Sequence, residues 1–317
     1  MDEKKGKIAA VIVTYNRKEL LINCLEKLLQ QTRSLDSIII IDNASTDGTR
    51  ECLEGSDFLS NPKIDYIKLI ENIGGAGGFY EGIKRGYERG FNWVWLMDDD
   101  GFPEVNTLEL FCSLDLNQNS CYCPIVLDPL DKNQLTFGFC GFFNNKSIYF
   151  QSMNDVDSFI GSYRTKIISG YGNFFNGIFL NREIIKSIGF PRKEMFIWGD
   201  ENEYLFRILA NGFNVWIMLD NVFYHPRFPQ TTIAFLGKKI SYIDNPATWK
   251  YYYQTRNLLY INKKYRSQLK VRWPILKCLL SRLILAAHVK KIRNFILLGL
   301  FDQILGLPYK TLSQLKK

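Results

Sequence analysis

The chain has 317 residues, 46% hydrophobic and 23% charged, and a formal net charge of +8 at pH 7. This profile excludes disorder as the main state, and the length allows one large domain with an appendage, or two domains. Its 7 cysteines, odd in number and without a Cys-x-x-Cys pair, fit neither a disulfide framework nor a structural zinc site and read as a reducing compartment.

Residues 1–5 carry charges rather than an apolar core, so the amino terminus does not read as a secretory signal. No apolar run approaches the ~18 residues of a simple membrane-spanning helix. Ile8–Thr14 (IAAVIVT) predicts a buried parallel strand. Asn16 follows, then a helical pattern through Leu20, Leu21, Cys24, Leu25 and Leu28. Residues 37–41 (SIIII) predict a second buried strand, ending in Asp42 and Asn43 and a turn-rich stretch. A helix, a third strand at 66–70, a glycine loop at 71–78 (ENIGGAGG) and a helix through Tyr80, Ile83 and Tyr87 come next. A fourth strand, 93–97, runs into Asp98, Asp99 and Asp100. This alternation predicts an α/β fold, a mostly parallel sheet with helices on both faces. Residues 101–175 read as irregular and antiparallel pieces. In open α/β sheets ligands bind beyond the carboxyl ends of the strands, where Asn16, Asp42, Asn72 and the three aspartates all fall.

Three adjacent carboxylates after a buried strand repel one another, and a divalent cation is the usual means of offsetting that repulsion. Alternation in extended backbone puts Asp98 and Asp100 on one face and turns Asp99 away. Such an ion is also the common partner of a substrate diphosphate. The glycines at 74, 75, 77 and 78 bring backbone close to something, phosphate being the usual guess. They match neither a dinucleotide fingerprint nor a P-loop. Residues 196–207 (FIWGDENEYLFR) place Asp200, Glu201 and Glu203 at a helix start, where acids also suit the helix dipole. Trp198 and Gly199 lead into these carboxylates as into a base poised at a cleft. His225, after a strand-like run at 216–224, reads as a metal ligand or a structural histidine.

These segments in this order resemble the family-2 nucleotide-sugar glycosyltransferases of the GT-A fold, over about residues 8–260. The quoted stretches are VIVTYNR, IIDNASTDGT, NIGGAGG, MDDD and WGDENEYLFR. Together they look most like the bacterial galactofuranosyl- and rhamnosyltransferase branches. The resemblance implies a Rossmann-like nucleotide-sugar domain in which Thr14 and Asp42 contact the base and ribose. Asn16, Arg17, Asn72, Gly75, Asp98 and Asp99 would complete the donor site, and Asp98, Asp100 and His225 would hold Mn²⁺ or Mg²⁺. Glu201 aligns with the family's catalytic base, with Asp200 as the alternative because the family has Asp where Glu201 stands. Trp198 and Glu201 would meet the acceptor. In residues 251–257 (YYYQTRN), Arg256 reads either as a phosphate contact or as part of a helix packing its tyrosines on the body.

The charge is unevenly placed: residues 263–317 hold 13 Lys and Arg against Asp302 alone, while residues 1–262 are mildly acidic. Leu276, Leu279, Leu280, Leu283, Ile284 and Ala287 recur at helical spacing among Lys277, Arg282, Lys290, Lys291 and Arg293. Trp273, Phe295, Ile296 and Phe301 add bulk. The expectation is a catalytic domain at 1–262 and a basic amphipathic helical tail at 263–317 that lies on an anionic membrane or packs on the body. Long aliphatics between the basic residues argue against nucleic acid.

The function expected is an inverting glycosyltransferase moving galactofuranose or rhamnose from a UDP- or dTDP-linked donor to a glycan or polyprenyl-linked acceptor. It would be cytoplasmic and peripheral at the inner face of the cell membrane, in cell-surface polysaccharide synthesis. Two rivals remain at this stage: a sugar-nucleotide-binding protein without turnover, and a nucleotidyltransferase. The oligomeric state is open.

Overall fold

β1 (Ile8–Thr14) and β2 (Ser37–Asp42) are buried along their whole length, as their unbroken β-branched runs require of strands covered on both faces. In this computed structural model, which describes residues 6–265 and 275–316, they lie at the centre of a parallel set. β3 (Ile64–Lys68) and β4 (Trp93–Asp98) complete it in the order β3-β2-β1-β4. The third strand thus starts two residues earlier than expected, and Ile70 is fully exposed.

Alternation sorts the side chains by face. Ile8, Ala10 and Ile12 pack with Leu21, Cys24, Leu25 and Leu28 of α1 (Lys18–Leu29). α2 (Thr49–Gly55) follows β2. The expected glycine loop is a helix: α3 (Gly74–Glu88) begins at its first glycine. The reason is packing, because α3 rides on the opposite face, over Val11 and Val13. A Cβ on Gly78 would collide with Val13 Cγ1, one on Gly82 with Val11 Cγ1, and one on Gly86 would lie 2.8 Å from Val94 Cγ1. Gly75 differs, since its missing Cβ points into open space.

Beyond β4 the sheet becomes mixed, with the antiparallel pieces that residues 101–175 suggested and one parallel pair. β5 (Phe102–Pro103), β6 (Ser120–Asp128), β7 (Asp131–Phe143), β8 (Lys146–Ser152) and β9 (Ile167–Tyr171) are joined by β10 (Asn176–Asn181) and β11 (Asn214–Tyr224). The path continues β4-β10-β6-β11-β9-β7-β8, with β5 on β11. β6 and β11 are parallel neighbours, and β10 runs antiparallel to β4. α4 (Thr107–Ser113) adds Leu108 and Phe111 to the core under β1 and β4, and α5 (Met153–Tyr163) and α6 (Arg182–Ile188) complete this part. The expected fold class is borne out: an α/β sheet whose core strands are parallel, with a helical carboxyl-terminal region.

The chain divides into two compact units, and the division is not the expected one at residue 262. The first holds residues 1–190 and 211–227; the second holds 191–210 and 228–317. The second unit contains α7 (Asp200–Ala210), the hairpin β12 (Gln230–Phe235) and β13 (Lys238–Ile243), α8 (Lys250–Tyr265), α9 (Ile275–His288), α10 (Lys290–Ile304) and α11 (Leu312–Leu315). α8 runs straight through the expected boundary, and α9 and α10 both pack on it. Gly299 lets α10 approach closely, since a Cβ there would lie 2.8 Å from the Tyr252 carbonyl oxygen.

The tail is therefore not a single amphipathic helix, and several of its basic residues have internal partners, Arg282 with Gln254 and Lys310 with Asp302 among them. Arg293 donates from Nε and Nη2 to the carbonyls of Ala286 and Ala287 at 2.8 and 2.9 Å, closing the end of α9, and Lys291 pairs with Asp244. Trp273 lies outside the described residues.

Candidate active site

Because β2, β1 and β4 are adjacent and parallel, their carboxyl ends align: Thr14 pairs in register with Asp42, and Val13 with Asp98. β4 ends at Asp98, so the expected alternation of the triplet stops there, and Asp99 and Asp100 lie in a turn. Asp99 is not turned out to solvent but is 3% exposed. Its Oδ2 accepts from the Thr14 hydroxyl at 2.7 Å, and its Oδ1 accepts from Arg17 Nη1 at 3.0 Å. The same Arg17 nitrogen donates to Asp100 Oδ2 at 2.6 Å. Thr14 and Arg17, expected to meet the donor, thus hold the acidic turn directly.

His225, the residue after β11, reaches this turn because β5 and β11 pair beside it. Its backbone is held by bonds to Leu127 and Thr136. Its Nδ1 donates to the Pro226 carbonyl at 2.8 Å, which leaves Nε2 facing Asp100 Oδ1 at 3.2 Å. That approach meets the distance for an ion pair, and the imidazole is the partner that the buried Asp100 Oδ1 faces.

The electrostatics follow from crowding. Burial, then Asp100 and Asp99, hold Asp98 well above the usual carboxylate range. Burial likewise pushes Asp99 up to about 6 against the pull of Arg17. Burial alone would raise Asp100 too, but the imidazole and Arg17 hold it below the ordinary value. Burial would depress His225, yet its contact with Asp100 keeps it raised. Arg17 is desolvated, but Asp100, Asp99 and Asp98 in turn raise it.

This donor set fits a divalent cation. A buried carboxylate oxygen faces an imidazole nitrogen whose partner nitrogen is committed to a carbonyl, an arrangement that orients Nε2 toward the acidic turn as a metal-ligating histidine is oriented. Among the described residues no three His, Cys, Asp or Glu side chains are already gathered at ligand spacing. Asp100 and His225 meet, and Asp98 stands beside them at the end of β4.

Asp42 is fully buried; its Oδ1 accepts from Ser45 N at 2.7 Å and its Oδ2 from the Tyr66 hydroxyl at 2.5 Å. Burial and then Asp42 raise the Tyr66 phenol. Asn16 has a positive φ of 54°, and its Oδ1 accepts from Thr46 N, joining the loops after β1 and β2. Asn72 Oδ1 accepts from Gly74 N at 2.8 Å and so opens α3, leaving Gly75 in its first turn. Asn43, to which the sequence reading gave no role beyond ending the second strand, bonds Ile73 N and the Gly74 carbonyl, locking the start of α3 to the end of β2. Its place directly after a buried strand was the available signal.

Trp198, Asp200, Glu201 and Arg256 belong to the second unit. Phe196, Trp198 and Gly199 have φ of 60°, 59° and 114°, a strained turn into α7. Asn257 holds it, donating from Nδ2 to the carbonyls of Met195, Ile197 and Trp198 at 2.9, 3.2 and 3.1 Å. Asp200 is buried; Glu201 is half-buried, with Oε2 accepting from Gly199 N at 2.8 Å and Oε1 from Asn202 at 2.7 Å. Trp198 is half-buried, with Tyr251 edge-on at 5.5 Å.

Arg256 requires a correction. It is 3% exposed, and it donates to the Tyr252 hydroxyl, the Pro308 and Leu307 carbonyls and Gln303 while stacking on Tyr309 at 4.0 Å. Its donors are spent on framework, so it does not serve as a phosphate contact. Asn257, one position on, is the residue that the sequence reading missed there.

The parallel core strands bring the acidic turn and the histidine to their carboxyl ends, where open α/β sheets bind ligands. The model of glycosyl transferase family 2 matches residues 9–167, and the chain belongs to that family. It is a glycosyltransferase, which sets the nucleotidyltransferase and the non-catalytic binder aside. It is 27% identical over 270 residues to galactofuranosyltransferase GlfT1 of Mycolicibacterium smegmatis, covering 84% of this chain and 87% of that one. The GlfT1 of Mycobacterium tuberculosis is 27% identical over 273 residues. Among solved structures, the mannosyltransferase PcManGT of Pyrobaculum calidifontis with GDP-Man and Mn²⁺ superposes with a TM-score of 0.54 at 12% identity, covering 94% of this chain and 87% of that one. GalNAc-T7 with UDP, GalNAc and Mn²⁺ gives 0.56 at 16% identity, and this chain spans 59% of its length. These likenesses are GT-A glycosyltransferase folds.

Proposed function

We propose that the chain is an inverting, metal-dependent galactofuranosyltransferase, with rhamnose as the second candidate sugar. The donor is a nucleotide diphosphate sugar, and the acceptor is a hydroxyl of a glycan or polyprenyl-linked intermediate of a bacterial surface polysaccharide. The work is placed on the cytoplasmic side, at the membrane surface. Similarity to the two GlfT1 proteins over most of the chain supports the choice of sugar. The observation that carries the chemistry is the buried turn of Asp99 and Asp100 fixed by Thr14 and Arg17, with His225 Nε2 facing Asp100.

Asp42 and Tyr66 hold one wall for the base and ribose, with Asn16 joining the adjoining loops. The first turn of α3, opened by Asn72, leaves backbone accessible at Gly75 for the donor. Asp98, Asp100 and His225 would hold the cation; an imidazole among the ligands would favour Mn²⁺ over Mg²⁺. When bound, that ion offsets the charge that grows on the departing diphosphate. Arg17, its side chain 40% exposed, carries a second positive charge at the same turn. Glu201 takes the proton from the acceptor hydroxyl as its oxygen attacks the anomeric carbon opposite the diphosphate, and the ring passes through an oxocarbenium-like state. Trp198 offers the acceptor a flat apolar face.

The test offers purified protein UDP-galactofuranose, dTDP-rhamnose, UDP-galactose and UDP-glucose, with and without Mn²⁺, and follows nucleoside diphosphate release and transfer. UDP release from the first donor, abolished by chelation, is expected; release from none of them overturns the reading. Glu201→Gln is expected to lose ~10²–10⁴-fold in transfer and to keep donor binding. If Asp200→Asn is crippled instead and Glu201→Gln stays active, the base is Asp200.

A further inference from the structure

α10 buries one face completely. Ile292, Ile296, Gly299 and Leu300 pack in the core of the second unit, and Asp302, 1% exposed, accepts from the Tyr252 hydroxyl. The opposite face is unusual. Leu297, Phe301 and Ile304, at i, i+4 and i+7, are 44%, 57% and 73% exposed, and Leu305 and Leu307 extend the stripe. A water-facing helix surface ordinarily carries charge at these positions. α9 repeats the pattern, with Leu280 and Leu283 half in water and Ala287 exposed beyond them.

The exposed charges that α10 and the described chain after it carry have one sign. Lys290, exposed, stands on the same line of α10 two turns before Leu297, and Lys316 is exposed further along. From residue 263 to the end Asp302 is the only acid, and it is buried. A second copy docked symmetrically on this face would set these basic residues against themselves. A surface that is apolar below and anionic above matches both features at once, and an interfacial helix meets such a surface at the boundary between headgroups and acyl chains. No described helix is long and apolar enough to cross a membrane.

We infer that the outward face of α10, with that of α9, is the membrane-contact surface. Phe301 and Ile304 enter the acyl boundary of an anionic bilayer while Lys290 stays among the headgroups. This rests on the proposed work at a membrane surface and corrects the sequence expectation about which residues matter there. Lys291 and Arg293 are occupied within the unit, and the exposed aliphatic and aromatic side chains make the contact.

The experiment co-sediments the full chain with vesicles of phosphatidylglycerol and phosphatidylcholine, and with pure phosphatidylcholine, at low salt and at 1 M salt. The wild type is expected to bind the anionic vesicles and to be partly released by salt. The double variant Phe301→Ser with Ile304→Ser is expected to partition about tenfold or more weakly, since two large apolar groups are lost. Both changes are at exposed positions, so its thermal unfolding and donor hydrolysis should match the wild type. If the wild type binds and the double variant binds equally well, this face is the wrong one and the peripheral reading survives. If the wild type binds no vesicle, both fall. A wild-type dimer in light scattering that the double variant dissociates, without vesicle binding, makes the face a contact between copies and overturns the inference.

Discussion

Two arginines illustrate how residue type leaves the role undecided. Arg17 lies beside Asp99 and Asp100 with part of its guanidinium in water, whereas Arg256 is enclosed by carbonyls and rings. Removing a partner from a buried charge leaves the other charge uncompensated, at ~3–5 kcal/mol in the severe cases. Arg17→Gln should therefore destabilise the metal-free protein, and Mn²⁺ should restore much of the loss, because a divalent ion can neutralise the same carboxylates. Arg256→Gln should destabilise as well, through unpaired carbonyls of the chain segment before α11, with no specific rescue by Mn²⁺. Thermal unfolding with and without the ion separates the two. Equal rescue of both variants would remove the distinction drawn between them.

At the scale of elements, α3 shows what a glycine run can mean. Gly78 and Gly82 are glycine because Val13 and Val11 occupy the space of a Cβ, and Gly75 is not constrained in that way. Gly82→Ala should overpack the contact with β1 and cost ~1–3 kcal/mol. Gly75→Ala adds a methyl in open space within a helix, where alanine is favoured over glycine by ~1 kcal/mol. It should leave stability unchanged or raise it while weakening donor binding, because the methyl would stand where the proposed donor approaches backbone. Denaturant unfolding and calorimetric binding of UDP to the two variants provide the check. Normal UDP binding by Gly75→Ala would show that the start of α3 does not meet the donor.

For the whole molecule, the proposed ligands divide between the units. The nucleotide and the ion belong to strand-end loops of the first unit, and the lipid belongs to helices of the second. A ligand that binds only the native state stabilises it by ~2.7 kcal/mol at a hundredfold excess over Kd. Hydrogen exchange with UDP and Mn²⁺ should therefore slow in residues 14–18, 42–46 and 98–101 and leave 290–307 unchanged. Anionic vesicles should slow 290–307 and leave the strand-end loops unchanged. The reverse pattern would mean that the sites have been assigned to the wrong units.

Sequence by itself determined the parallel strands and, for β1, β2 and β4, where their carboxyl ends fall to within a residue. An unbroken run such as IAAVIVT or SIIII has few ways to hide both faces, and Asp42 and the acidic triplet follow directly in the chain. It also determined the family, because the motifs occur in one order between residues 11 and 207. Only the tertiary structure decided that Asp99 is a buried anchor, because the alternation rule stops where β4 stops and Thr14 and Arg17 come from another strand end, over eighty residues away. It decided that the glycine run is a helix, since the close approach to Val11 and Val13 is invisible along the chain. Charge and hydrophobic period told that the tail is basic and helical; only packing shows which side chains are spent inside and which face remains in water. That face is left over after α8, α9 and α10 have buried one another, and no local pattern records what is left over.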